Sequence, residues 1–293
     1  MKNTPPIYGA VLSEWMAATD VGKPTAHGTR LRYSSTGGCA MQLGLTAAGI
    51  APTNPIDLAG RHVANIGTGV HDQWQTALEW RYPDWKWEME KSSIIPEADL
   101  SGSADGYGVA PDGHKVVLEL KNMGGAAWRI ASGLPNKGDK IKAGEGPRQS
   151  AVTQGAVNAY ALDADEVVWP LLSMEAVSVM RAERMGLTER ERFVSEWSMT
   201  RDEYTPVAET EIARHVAVLD LVDGAGVLPE RLVPKWSPGS GVYDPNGQFI
   251  EDSSTTRYWG CAYCSHADVC RVLPQGNVEI EVETAVEIAG RVR

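Results

Sequence analysis

No stretch of this chain stays apolar over the length that a membrane-spanning helix requires, so a helical membrane protein is excluded. The opening Met1-Lys-Asn-Thr-Pro-Pro lacks the basic and apolar regions of a secretory signal, and an intracellular, cytoplasmic protein is expected. Cysteine is scarce, with 4 in 293 residues; in a reducing compartment these are expected as thiolates or metal ligands rather than disulfides. Positive charge is short as well. Lysine and arginine total 27 against 38 aspartates and glutamates, a net charge of -11, which argues against a general nucleic-acid coat because phosphate binding needs cationic surface. Metal-dependent chemistry on a polyanion remains open, since metal-binding carboxylates put negative charge where a cation will sit. No Gly-x-x-x-x-Gly-Lys-Ser/Thr occurs, so any helicase would be a separate chain. With 43% hydrophobic residues, the chain can bury a sizeable core, and a single elaborated α/β domain is the first expectation.

The stretch from Ser101 to Met123 organises the rest. Pro111-Asp-Gly-His is turn chemistry and Lys115 to Leu120 is a β-branched, largely apolar run, so two short strands joined by a turn are expected. Side chains at i and i+2 of a strand share a face, so Glu119 and Lys121 project together while Leu118 and Leu120 point into the core. The hairpin would bring Asp105 alongside. Two carboxylates and one ammonium converging at the end of a hydrophobic strand can hold a divalent cation and polarise a water, as a metal-dependent phosphodiesterase requires. The plainer reading makes Glu119 and Lys121 a solvated strand face and Asp105 an ordinary turn aspartate.

Upstream, Arg30 to Gly44 reads as a short extended piece, an N-cap and a helix start that carries Cys39. Gly67 to Trp80 reads as a helix with Val70, Trp74, Ala77 and Leu78 on one face and His71 beside it. Trp85 and Trp87 alternate with charged residues, as in a half-buried strand. Downstream, Gly124 to Arg148 has little periodicity and is expected as a mobile loop; its Lys137, Lys140, Lys142 and Arg148 form either a local basic stripe or a solvated face. A helix is expected from about Arg148 to Leu162, carrying Gln149, Gln154 and Tyr160. Glu166 to Met180 reads as two strands, the first central although Pro170 suggests its end or an edge. Pro206 to Val222 is helical, and Gly224 to Ser254 is a long loop. The loop delivers Cys261, Cys264 and Cys270, whose close spacing is a strong metal signal; with Cys39 they make four thiolates, and zinc would take these four or three with His266. Gln275 to Arg293, Glu-rich with alternating Val and Ile, is read as an acidic tail, an edge strand or disorder.

Gly102-x-x-Asp105, a thirteen-residue spacer and apolar-apolar-Glu119-Leu-Lys121 together resemble the PD-(D/E)xK nuclease core in its RecB-like form. Gly-Thr-x-x-His71 resembles the first motif of that family, and Gln154 best fits its glutamine helix, although Asn158 stands where the family has tyrosine and Tyr160 falls two residues later. One cysteine before the core and three after it resemble the iron-sulfur staple of CRISPR-associated RecB-like exonucleases and AddB-type subunits. The resemblance spans about Tyr33 to Arg271, with the motifs in family order.

It implies an α/β PD-(D/E)xK core, a mixed central sheet flanked by helices, with a cysteine-rich cluster-binding appendage. One nuclease domain would cover 1–274, its core about 61–222, with segments 30–50 and 255–272 joined by the cluster and 275–293 left as the tail. His71, Asp105, Glu119 and the Leu120 carbonyl would hold Mg²⁺ or Mn²⁺; Lys121 and Gln154 would join Asp105 and Glu119 in catalysis. Cys39, Cys261, Cys264 and Cys270 would hold a [4Fe-4S] cluster, favoured over zinc. The implied activity is DNA hydrolysis, an exonuclease acting on single strands or free ends in recombination, repair or CRISPR-type processing, including phage-encoded forms in a host cytoplasm. Lys137, Lys140, Lys142, Arg148 and Tyr160 are the candidate DNA contacts, a helicase or recombinase the candidate protein partner, and ring-forming relatives leave an oligomer open. The other reading is a non-catalytic DNA-binding or scaffold subunit of such a complex.

Overall fold

The structure is a computed structural model, and it describes residues 28–54, 58–135, 140–230, 242–243, 249–250, 264–274 and 278–292. Its strands are β1 (Leu31–Arg32), β2 (Lys86–Ile95), β3 (Leu100–Val109), β4 (Lys115–Leu118), β5 (Lys121–Met123), β6 (Glu166–Ser173) and β7 (Val194–Thr200), with a separate two-stranded ribbon of β8 (Val242–Tyr243) and β9 (Phe249–Ile250). The helices are α1 (Ala40–Ala47), α2 (Leu58–Arg81), α3 (Gly125–Ala131), α4 (Gln149–Ala161), α5 (Val179–Met185), α6 (Arg201–Leu219), α7 (Ala267–Val272) and α8 (Val282–Val292).

The chain divides into two compact units. One comprises Met1–Gly28, Cys39–Thr68 and Val218–Arg293, the other Thr29–Gly38 and Gly69–Ala217. The second holds the seven-stranded mixed sheet, ordered β1-β3-β4-β6-β5, with β2 beside β3 and β7 beside β6. Its layers follow from strand alternation. Val116, Leu118, Leu120 and Val168 share one face and pack with Leu78 of α2, ringed by Trp74, Trp85, Trp87 and Met89. On the opposite face, α4 lies over β3, β4 and β6, close enough that a Cβ on Gly155 would sit 2.7 Å from the Trp169 ring. Ala77, expected on the packing face of α2, is exposed.

β4 and β5 are one strand with a pause. Both run parallel to β6 in the same register, Leu118 beside Val168 and Lys121 beside Leu171, so Glu119 and Leu120 face Trp169 and Pro170 across the break. Pro170 has no N–H to give the ladder, which is how a proline is accommodated inside a central strand rather than at its end or at an edge.

Three other expectations change. Gly124 to Arg148 is not an unanchored loop: α3 buries Trp128, and the segment after it is tied back by Lys142 N–H to Gly133 O at 2.9 Å and Gly146 N–H to Ala131 O at 3.1 Å. The strand expected after β6 does not form: residues 174–178 are irregular, α5 starts at Val179, and the next strand is β7, antiparallel to β6. The terminal segment is neither an edge strand nor a loose tail, because α8 presents Ala285 and Ala289 at helical spacing, both buried, in contact with α7.

Candidate active site

The hairpin of β3 and β4 places the carboxylates. Its register pairs Gly106 with Leu118, so the thirteen intervening residues bring Asp105 opposite Glu119 one step further along. There the two strands part. The Leu120 N–H donates to Asp105 Oδ2 at 2.8 Å instead of to β3 backbone, while the Glu119 N–H still donates to Val168 O at 2.9 Å. Asp105 therefore caps the fork between strands with its own side chain.

Glu119 is fully buried, and both its oxygens are engaged. Lys121 Nζ donates to Oε1 at 2.6 Å, as the i, i+2 spacing predicts. Asn158, on α4 and fully buried, donates through Nδ2 to Oε2 at 3.0 Å and to the Ser103 carbonyl at 3.4 Å. Both neighbours are acceptors, so the amide nitrogen must face them. Its Oδ1 has no protein partner.

Burial pushes the Glu119 carboxyl up to about 7, with Asp105 adding to the shift while Lys121 and Asn158 oppose it. Asp105 is raised for the same first reason, against Lys121 and His71. Burial works against the Lys121 charge, but Glu119 and Asp105 outweigh it and the ammonium is held more firmly.

His71 of α2 reaches this group from two helical turns before Leu78. Its Nδ1 lies 3.7 Å from Glu90 Oε1 and 3.9 Å from Asp105 Oδ1. The Glu90 carboxylate raises its pKa first, against burial and with help from Asp105. Among the described residues, His71, Glu90 and Asp105 are the set of His, Cys, Asp and Glu whose ligand atoms all lie within 4.8 Å of one another. Glu119, expected with His71 and Asp105 at one ion, falls outside that set, and Glu90, which sequence reasoning passed over, falls inside it. Its signal is the β2–β3 register, which a single strand's pattern does not contain.

The residue of α4 that bonds Glu119 is Asn158, one turn beyond Gln154. Gln154 instead lines a cleft of about 380 Å³ with Lys121, Asn122, Arg148 and Ser150, which runs off from the lysine along α4. Lys140, Lys142 and Tyr160 are exposed, and Lys137 lies outside the described residues. Trp85 and Trp87 stack on each other, centroids 5.3 Å apart and 9° between planes, and pack on the core beside Leu118, so they are spent on packing.

In the other unit, Cys39 is the N-cap residue of α1, and Cys264 and Cys270 flank and enter α7. These three are not joined to one another by disulfides, and Cys261 lies outside the described residues. Burial raises the Cys264 thiol, and Cys270 and Cys39 are near enough to add to the shift. His266 is buried with both ring nitrogens engaged, Nδ1 to Ser265 Oγ at 3.0 Å and Nε2 to Ile50 O at 2.9 Å. It pins α7 to the segment after α1.

No protein-family model matches the chain, and no curated protein does. A search of solved structures finds the crystal structure of SSO0001 at 12% identity and a TM-score of 0.45, covering 88% of this chain and 92% of that one.

Proposed function

We propose that this chain is a metal-dependent DNA nuclease of the PD-(D/E)xK, RecB-like kind, an exonuclease acting on single strands or free ends. The observation that carries the reading is the fork itself: Asp105 bonded to the Leu120 N–H at 2.8 Å and Lys121 bonded to Glu119 at 2.6 Å, three ionisable groups gathered at the pause of a buried strand.

The donor set fits a divalent cation, since one imidazole nitrogen and carboxylate oxygens stand within ligand distance of one another. His71 and Asp105 would hold Mg²⁺ or Mn²⁺, with Glu119 and the Leu120 carbonyl as the further ligands that the resemblance implies. Such an ion supplies a lowered water pKa and charge stabilisation on phosphate oxygens. Lys121 holds its proton firmly, so it orients the attacking water or meets the charge that develops on the phosphate rather than acting as a base. Asn158 keeps Glu119 in line with Lys121, and Gln154 and Arg148 in the adjoining cleft contact the DNA strand. In the other unit, Cys39, Cys261, Cys264 and Cys270 would hold a [4Fe-4S] cluster that joins the two ends of the chain. The setting is recombination, repair or CRISPR-type processing in a cytoplasm, beside a helicase or recombinase.

Hydrolysis of end-labelled single- and double-stranded DNA with Mn²⁺ tests this. Wild type is expected to release short products, and Glu119→Ala and Lys121→Ala to release none. Full activity in Glu119→Ala sinks the reading, and an inactive, cluster-loaded wild type shifts it to a non-catalytic DNA-binding or scaffold subunit.

A further inference from the structure

Three carboxylates stand in one row across the sheet. The β2–β3 ladder pairs Met89 with Gly106 and Lys91 with Ala104, so Glu90 sits opposite Asp105; the β3–β4 register sets Asp105 opposite Glu119. Like charges directly opposite each other destabilise a sheet, and here the middle one is partly buried and the last fully so. Lys121 answers Glu119 at 2.6 Å, and Lys91 is bonded to Glu88 at 2.5 Å rather than turned to the row. At the Glu90 and Asp105 end stands an imidazole.

Backbone geometry singles out the same residue. Glu90 has φ 52, a left-handed conformation in the middle of a ten-residue strand, and the pair it would make with Asp105 is the one missing from an otherwise continuous ladder. A glutamate pays roughly 1 kcal/mol or more for that conformation, which persists where the surroundings impose it. The outcome is that Glu90 Oε1 lies 3.7 Å from His71 Nδ1, on the side where Asp105 Oδ1 also points, the other Asp105 oxygen being held by Leu120.

Resting on the metal reading above, we infer that Glu90 is a direct ligand of the divalent cation, completing a seat of His71, Glu90 and Asp105 drawn from three separate elements. An imidazole with two carboxylates suits Mn²⁺, because carboxylates alone serve Mg²⁺ and Ca²⁺ as well while a nitrogen ligand favours the transition metal. Glu119, bonded to Lys121 and Asn158, stands across Asp105 from this seat and would reach the ion from there as the further ligand.

The test reads cation binding with no substrate present. Mn²⁺ is titrated into metal-free protein and the free ion is followed by electron paramagnetic resonance, for wild type, Glu90→Gln, His71→Ala, Asp105→Asn and the neighbouring surface control Glu88→Gln. Melting curves identify any variant that fails to fold; Glu90 is exposed, so its variant is expected to fold normally. The expected result is a loss of affinity of about tenfold or more in Glu90→Gln, matching His71→Ala and Asp105→Asn, with Glu88→Gln unchanged. Wild-type affinity in Glu90→Gln alongside losses in the other two overturns the role of Glu90 and leaves the metal reading standing. A wild type that takes up no Mn²⁺ overturns both.

Discussion

Asn158 Nδ2 stands 3.0 Å from Glu119 Oε2, joining the middle of α4 to the break in the strand beneath it. The same nitrogen reaches the Ser103 carbonyl, so one amide closes the fork that opens where β3 and β4 part. Asn158→Leu keeps the branched shape and removes the donor, leaving a buried carboxylate with Lys121 alone. The expected cost is about 1–3 kcal/mol of stability, the penalty for an unmet buried polar group. Asn158→Asp puts a second carboxylate against Glu119 and is expected to cost more. Urea unfolding of the variants checks the order; equal stability in all three proteins would show that the amide contributes nothing.

Glu119 also sets a pH dependence. Its carboxyl is raised to about 7 by burial, so the folded state binds a proton that the unfolded chain has released. The associated stability is therefore fully present below the ordinary carboxylate pKa and is lost as pH rises through about 7. Asp105 is shifted in the same direction. Metal-free protein should unfold at lower urea at pH 8 than at pH 5, and Glu119→Gln should flatten the difference. A steeper pH dependence in Glu119→Gln would contradict this assignment.

Much of this site is local and so could be read from residue order. Glu119 and Lys121 share a face because strands have a period of two, and thirteen residues with a Pro-Asp-Gly turn between Asp105 and Glu119 are enough for the hairpin. The partners that hold them are not local. Glu90 is aimed by the register of β2 on β3, and Asn158 by the height of α4 over the sheet, which Gly155 against Trp169 adjusts. The short α3 was hidden by the glycines that flank its Ala-Ala-Trp-Arg-Ile-Ala core. In the last segment, Val278, Ile280 and Val282 do alternate, but Val282, Ala285, Val286 and Ala289 follow a helical spacing that small residues make faint.

Gly102, the glycine of Gly-x-x-Asp105, has a steric task. A Cβ there would lie 2.6–2.8 Å from the Tyr33 side chain, which is packed and nearly inaccessible. Gly102→Ala is expected to lose about 1–3 kcal/mol through overpacking. Because β3 carries both residues, displacement at Gly102 should also weaken Mn²⁺ binding at Asp105 three positions on. A melting curve and a Mn²⁺ titration on the one variant check both parts, and a wild-type melting temperature would remove the steric account.

The cysteines and His266 make opposite predictions although they are neighbours in sequence. Cys264 is a half-buried thiol whose pKa is raised by burial and by Cys270 and Cys39, an arrangement that costs stability as thiolates unless a cation gathers them. His266 donates its Nε2–H to Ile50 O and turns its Nδ1 lone pair to the Ser265 hydroxyl, so both nitrogens are engaged without a metal. Protein purified anaerobically is expected to be brown, with Cys264→Ser colourless and His266→Ala retaining its colour while melting lower, since a buried imidazole with two partners is removed. Zinc in a colourless wild type would replace the cluster by a four-thiolate site and leave the part assigned to His266 intact. Loss of metal in a folded His266→Ala variant would show instead that the histidine leaves Ile50 to become a ligand.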